Sequence, residues 1–296
     1  MASDPFRIPR RLLLTTGGVA LLISRPVGAA GHPHQGSGPP SPGAAPSAPP
    51  PSASPTPAPT PTPVPSPTPV PSPTPTPVPA PAPVPAPPPT PVREVSAGPM
   101  TAALTFDDGP SPRYTPQILA LLRRFVDSAT FFMIGANVEK YPDVARQVAD
   151  EGHRLGNHTY SHPDLGKLSA ARVRDEIQRT GDLIARATGT PPPTLFRAPG
   201  GYFTPASLAV CADLRLRPVS WSVDPQDWSN PGTDAIVRHV VAHTRTGSIV
   251  LEHDGCLTDR PIAPGGPADR SQTVAALAAY LPRLIDAGLH FATVAP

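Results

Sequence analysis

The chain is poor in several features that would each point to a class of protein. Only two of its 296 residues are cysteine, Cys211 and Cys256. That leaves room for one disulfide at most, and Cys211 lies in an apolar helical run where it reads equally as a buried thiol. Net charge is also scarce, at +2. Before Gly98 five arginines (Arg7, Arg10, Arg11, Arg25, Arg93) face Asp4 and Glu94, so the remainder carries about −1. A nearly neutral block gives no electrostatic reason to expect nucleic acid as a partner. Long apolar runs are missing too: Leu12 to Ile23 is 12 residues, interrupted by Gly17 and Gly18, against the ~20 needed to cross a bilayer. A transmembrane anchor is not expected.

What the chain has in surplus is proline, 50 residues against a usual share of ~5 %. Of these, 27 fall within the 54 residues Pro39 to Val92, mostly alternating with Ser, Thr, Ala and Val. Every second residue there lacks an amide donor, so neither helix nor sheet can form. Residues 31–98 therefore read as a disordered or polyproline II linker. At ~3.1 Å per residue its proline core reaches roughly 170 Å, enough for a stalk through or away from a cell wall.

Residues 1–30 read as an export signal. Arg7, Arg10 and Arg11 form a basic start, Leu12 to Ile23 the apolar stretch, and Val27-Gly28-Ala29-Ala30 the small residues of a cleavage site. The Arg10-Arg11 pair followed by three leucines fits a twin-arginine signal. The chain is expected to be exported, extracellular or cell-wall associated.

About 200 residues remain, 99–296, and in them strand-like and helix-like runs alternate. The strand-like runs are Ala102–Phe106, Ala129–Ile134, His153–Asn157, Thr194–Arg197, Arg217–Trp221, Ser248–Leu251 and His290–Val294. Ser169 can cap a helix carrying Val173, Ile177 and Ile184 until Gly189 and Pro191 end it, and another opens at Ser271 and should be kinked at Pro282. The expected class is α/β, a single distorted (β/α) barrel of about seven parallel strands. In such barrels functional residues gather where strands end.

Chemically suggestive residues do follow the strand-like runs. Asp107 and Asp108 come after the first, His158 and His162 after the third, Arg197 closes the fourth, Asp224, Asp227 and Trp228 follow the fifth, and His253 the sixth. A zinc site with an open position commonly takes three ligands from His and carboxylate. His158 and His162 would face the same way on a helical turn, Asp108 could be the third ligand, and Asp107 would then be free to act as a base. Alone, Asp107-Asp108-Gly109-Pro110 is an ordinary polar turn and the two histidines are ordinary structural ones; together at successive strand ends they point to metal. His239 and His243 have the same spacing but no carboxylate and no strand end, and read as helix-face residues.

Five segments, Thr105-Phe106-Asp107-Asp108-Gly109, His158-Thr159-Tyr160-Ser161-His162, Arg197-Ala198-Pro199-Gly200-Gly201, Asp224-Pro225-Gln226-Asp227-Trp228 and Leu251-Glu252-His253, resemble in order the motifs of the polysaccharide deacetylases, also called the NodB-homology or carbohydrate esterase 4 family. The resemblance implies Asp107 as general base and Asp108, His158 and His162 as ligands of one divalent metal ion, zinc, with cobalt or nickel in some members. It further implies Arg197 as the partner that holds Asp107 ionised, His253 as general acid, Asp227 as the carboxylate orienting it, and Leu251 and Trp228 as walls of an acetyl pocket. Trp228 also reads as a core aromatic. The family usually has Tyr at the position of Gly200, whose main-chain amide would donate to the oxyanion; Tyr202 stands two residues on as a replacement for the missing aromatic wall. The segment Cys256 to Arg270 is long for this place and would overhang the mouth or be a neutral surface insertion.

The function implied is hydrolysis of acetamide groups on N-acetylated glycans, peptidoglycan above all. Alternatives are a chitin-oligosaccharide deacetylase, an acetylxylan O-deacetylase, and an inactive glycan-binding module.

Overall fold

The computed structural model describes residues 89–257 and 263–295. The expected export signal, and the proline-rich linker as far as Pro88, lie outside the described residues. Among the described residues there are seven strands: β1 (Thr101–Gly109), β2 (Thr130–Met133), β3 (Arg154–Asn157), β4 (Leu195–Phe196), β5 (Arg217–Pro218), β6 (Ile249–His253) and β7 (His290–Phe291). Seven α-helices lie between them: α1 (Thr115–Phe125), α2 (Gly135–Lys140), α3 (Pro142–Asp150), α4 (Ala170–Thr188), α5 (Pro205–Leu214), α6 (Thr233–His243) and α7 (Ser271–Asp286).

The strands run parallel in the order β5-β4-β3-β2-β1-β6, with β7 beside the start of β1. Beyond β5 the chain closes the ring. Val223 bridges Val250 in parallel, and Leu251 donates its N–H to the Val223 carbonyl at 2.9 Å. The expected distorted (β/α) barrel is thus the architecture found, with β4, β5 and β7 shortened to two residues each.

Strand alternation sorts β1 into two faces. Ala103 packs with Phe132, Leu195, Val219, Ile249 and Val294 in the interior of the ring. Ala102, Leu104 and Phe106 join the larger core that α1 and α7 cover. Thr105 and Asp107 therefore share the interior face with Ala103. In α4, Ser169 accepts the N–H of Arg172 as N-cap, and Gly189 ends the helix in the left-handed region at φ 72°. α7 runs on through Pro282, with Leu277, Tyr280, Leu281 and Leu284 buried against the barrel.

The folded unit starts earlier than the boundary at 98/99 expected from composition. Val92 bridges Val219, Glu94 pairs antiparallel with Ser248, and Val92 and Val95 pack on the interior cluster. Residues 92–95 are the first after the proline run with a main-chain amide at every position, which lets them pair.

Candidate active site

Two adjacent aspartates can serve one site only if strand alternation is broken between them, and it is. The register of β1 against β2 shifts between Asp107 and Gly109, and Asp108 sits at φ 70°. Asp is one of the few residues that tolerate the left-handed region. Asp107 stays on the interior face and Asp108 is turned to the same mouth. The two strand ends meet here closely: a Cβ on Gly109 would lie 2.2 Å from Asp254 Oδ2, and one on Gly255 would lie 2.2 Å from the Asp108 carbonyl.

His158 and His162 converge, but not through the helical turn expected from their spacing. The segment after β3 is an irregular loop, with Thr159 at φ 68° and His162 at φ 53°. Those two left-handed residues bring the imidazoles to 5.0 Å between centroids. Asp108 Oδ1 lies 3.5 Å from His158 Nε2 and 3.4 Å from His162 Nε2. His158 Nδ1 lies 2.8 Å from the Arg197 carbonyl. A carbonyl only accepts, so Nδ1 carries the proton and the Nε2 lone pair is left facing Asp108. Burial, aided by His162, pushes the His158 pKa down to about 3, which keeps the ring neutral.

These residues fit a cation. Asp108 Oδ1 is buried without a hydrogen-bond partner, a costly state for a carboxylate unless something positive satisfies it. Asp108, His158 and His162 are the one group of metal-ligand type found among the described residues, with one candidate atom from each within 4.8 Å of the others. His239 and His243 instead stack on each other along α6, as expected of helix-face residues.

Arg197 is fully buried and gathers the interior face of the barrel. Its guanidinium donates to Asp107 Oδ1 at 2.6 Å, to Thr105 Oγ1 at 2.9 Å and to the Ser220 carbonyl at 3.0 Å, and stands 4.1 Å above the Phe132 ring. Burial raises the Asp107 pKa and Arg197 opposes that rise. Arg197 therefore limits the effect of burial without reversing it.

On the far side of the mouth, His253 Nδ1 lies 2.7 Å from Asp227 Oδ1. Burial alone would lower the His253 pKa, but the charge and hydrogen bond of Asp227 outweigh it and raise it to about 9. Asp227, fully buried, is correspondingly lowered.

The expected walls differ in character. Leu251 is buried, whereas Trp228 is 51 % exposed, which removes its reading as a core aromatic. Tyr202 is 77 % exposed and its ring lies over Gly200, where a Cβ would meet Tyr202 Cδ2 at 2.9 Å. A cavity of about 650 Å³ opens beside His162, lined in part by Pro199, Gly200, Tyr202 and Phe203. The described part of the 256–270 segment is tied down: Asn230 donates to the Gly266 carbonyl at 3.0 Å and Tyr114 to Asp269 at 2.9 Å. No disulfide joins Cys211 and Cys256, and Cys211 is a buried thiol in α5.

Several residues around the site escaped the sequence reading. Asn157 ties the histidine loop to α4, Thr273 donates to Asp227 at 2.7 Å, and Glu176 reaches the same loop from α4. Glu176 left one signal, a carboxylate on the buried stripe that holds Val173, Ile177 and Thr180. Thr273 left none.

Fold and site together define an α/β-barrel protein with a carboxylate-imidazole centre at the C-terminal ends of its strands. Residues 94–219 match the family described as polysaccharide deacetylase. The peptidoglycan-N-acetylglucosamine deacetylase of Bacillus cereus is 43 % identical over 203 residues, covering 68 % of this chain and 89 % of that protein. A chitooligosaccharide deacetylase of Sinorhizobium fredii is 42 % identical over 191 residues, 64 % of this chain and 88 % of that one. Among solved structures, a peptidoglycan N-acetylglucosamine deacetylase superposes with a TM-score of 0.62 at 34 % identity, covering 68 % of this chain and 89 % of that chain. A family 4 pseudoenzyme from Bacillus anthracis superposes at 0.61 with 28 % identity, covering 70 % of this chain and 68 % of that chain. The chain belongs to the polysaccharide deacetylase family, carbohydrate esterase family 4.

Proposed function

We propose that this chain is an exported, metal-dependent N-deacetylase that hydrolyses acetamide groups of N-acetylated glycans, with peptidoglycan as its substrate and acetate as its product. The observation that carries the reading is the opposition, across one mouth, of Asp107 beside the Asp108-His158-His162 group and the His253-Asp227 pair. A pseudoenzyme stands among the structural relatives, so backbone likeness alone does not give activity and the reading rests on these side chains.

Asp108, His158 and His162 hold a divalent cation, zinc in this reading, which supplies Lewis acidity toward water and the acetyl carbonyl. Asp107 takes the proton of the attacking water, with its Oδ1 held by Arg197 so that Oδ2 is the working oxygen. The main-chain N–H of Gly200 donates to the oxyanion that develops. Leu251 and Trp228 enclose the acetyl methyl group, while Tyr202 offers an exposed ring to the sugar beside the His162 cavity. His253, an imidazolium below pH 9, gives its proton to the nitrogen as the C–N bond breaks. An amine leaves an amide only when its nitrogen is protonated, so an acid held charged by Asp227 suits an amide better than an ester.

A second reading, a chitooligosaccharide deacetylase, is favoured by the relative from Sinorhizobium fredii. Acetate release from peptidoglycan, N-acetylglucosamine oligomers and acetylated xylan, with and without chelator, tests the proposal. Release from peptidoglycan that stops on metal removal is expected. Release that survives complete metal removal would overturn the metal reading, exclusive release from oligomers or xylan would reassign the substrate, and tight glycan binding without release would make the chain a binding module.

A further inference from the structure

Helix α4 supplies no ligand, yet one of its side chains holds the loop that supplies two. Glu176 is 6 % exposed, on the face of α4 that packs inward with Val173 and Ile177. Its Oε2 accepts the main-chain N–H groups of Tyr160 at 2.9 Å and Ser161 at 2.8 Å, and its Oε1 accepts the Ser161 hydroxyl at 2.9 Å. Tyr160 and Ser161 stand between His158 and His162. One carboxylate thus takes three hydrogen bonds from the middle of the five-residue loop whose two ends are the imidazoles.

The loop needs such support. Thr159 and His162 both occupy the left-handed region, which side-chain-bearing residues hold only where the surroundings impose it. Asn157 gives a second strut at the loop's start, donating from Nδ2 to the Ile177 carbonyl at 2.7 Å and accepting the Thr159 N–H at 3.0 Å. Both struts end on the same turn of α4. A buried carboxylate is expensive unless its oxygens are satisfied, and here loop donors satisfy both, so helix and loop fix each other.

We propose that Glu176 is a positioning residue of the metal centre: without touching either imidazole, it sets the separation and aim of His158 and His162 and thereby the affinity for the cation. This rests on the metal-binding reading above. Residues that orient metal ligands from behind typically change affinity by about 10–100-fold when lost.

The test uses the full chain, stripped of metal and titrated with zinc against a chromophoric chelator. Glu176→Gln keeps the side-chain shape but sets an amide NH2 against the loop's donors, and should weaken zinc binding by about 10–100-fold. Ser161→Ala removes one of the three bonds from an exposed residue and should weaken it less, which keeps the proposal testable should Glu176→Gln fail to fold. Ile184→Val, farther along the buried face of α4, should lower the melting temperature of the metal-free protein and leave zinc affinity at the wild-type value. Wild-type affinity in Glu176→Gln, or in Ser161→Ala where the former does not fold, overturns the proposal. So does an equal loss in Ile184→Val, which would mean that any loosening of α4 acts alike. A wild-type chain that binds no zinc would instead overturn the metal reading, and this inference with it.

Discussion

His253 and Asp227 are joined twice: the imidazole Nδ1 lies 2.7 Å from Asp227 Oδ1, and the main-chain N–H of His253 donates to Oδ2 at 2.9 Å. The second bond ties the carboxylate to the backbone of the residue it charges, so ring orientation and ring charge come from one contact. Thr273 completes Oδ2 from the first turn of α7. The pair is therefore anchored to both β6 and α7, and the ring cannot turn away without breaking a buried bond.

This arrangement predicts the alkaline side of the pH profile. With His253 as the proposed general acid, the imidazolium is the form expected to act, so activity should be complete below the His253 pKa and lost as pH rises through about 9. Asp227→Asn removes the charge that raises it most, and burial is then opposed only by the charges of Asp108 and Asp107. The alkaline limb of kcat/KM should move from about 9 toward the ordinary His value of ~6.5, lowering activity at pH 8 by up to about 30-fold while activity near pH 6 is largely kept. A limb that stays near 9 in Asp227→Asn would remove His253 from the role of acid. The same raised pKa adds stability that is present below pH 6.5 and disappears through about 9.

Arg197 predicts a stability effect that is separate from chemistry. Arg197→Met leaves the Asp107 carboxylate buried without its 2.6 Å partner, and should lower unfolding free energy by about 3–5 kcal/mol in urea melts. Adding Asp107→Asn to that variant removes the orphaned charge and should recover part of the loss. If the double variant is less stable than the sum of the two singles, the ion pair is not what makes Arg197 costly to remove.

Much of this site was legible in the sequence because strand ends are legible. Apolar runs followed by Asp107, His158, Arg197 and His253 fall where β1, β3, β4 and β6 stop. The geometry between the ligands was less so. Spacing of four suggests a helical turn for His158 and His162, whereas the convergence comes from left-handed residues at Thr159 and His162, a backbone state that is rare for β-branched Thr and that His visits only occasionally. The pairing of Val92 and Glu94 was hidden by the proline tract beside them. Thr273 acts on Asp227 from 46 residues away and no local pattern marks it, whereas Glu176 is marked only by standing as a carboxylate on the buried stripe of α4.

The two adjacent aspartates should separate cleanly from each other and from the histidines. Asp108 faces the imidazoles and Asp107 is engaged by Arg197. Asp107→Asn should abolish acetate release while metal content, measured by atomic emission on purified protein, stays near one equivalent. His158→Ala should lower the metal content itself. Equal metal loss in both variants would contradict the division of labour between base and ligand.

The proline-rich segment gives the last prediction. In our reading it adds reach and no chemistry, since every proposed site residue lies between Asp107 and His253. Because Val92 pairs with Val219 and packs on the barrel interior, a deletion that includes it would damage the fold and confuse the result. Deleting Pro39–Pro88 avoids that contact. The shortened chain should keep wild-type kcat/KM on soluble N-acetylglucosamine oligomers and release acetate more slowly from intact cell walls, because in the stalk reading it loses about 50 residues of reach, roughly 150 Å at ~3.1 Å each. Equal loss on both substrates would mean that the segment supports the domain itself, and no loss on either would leave it without the role of a stalk.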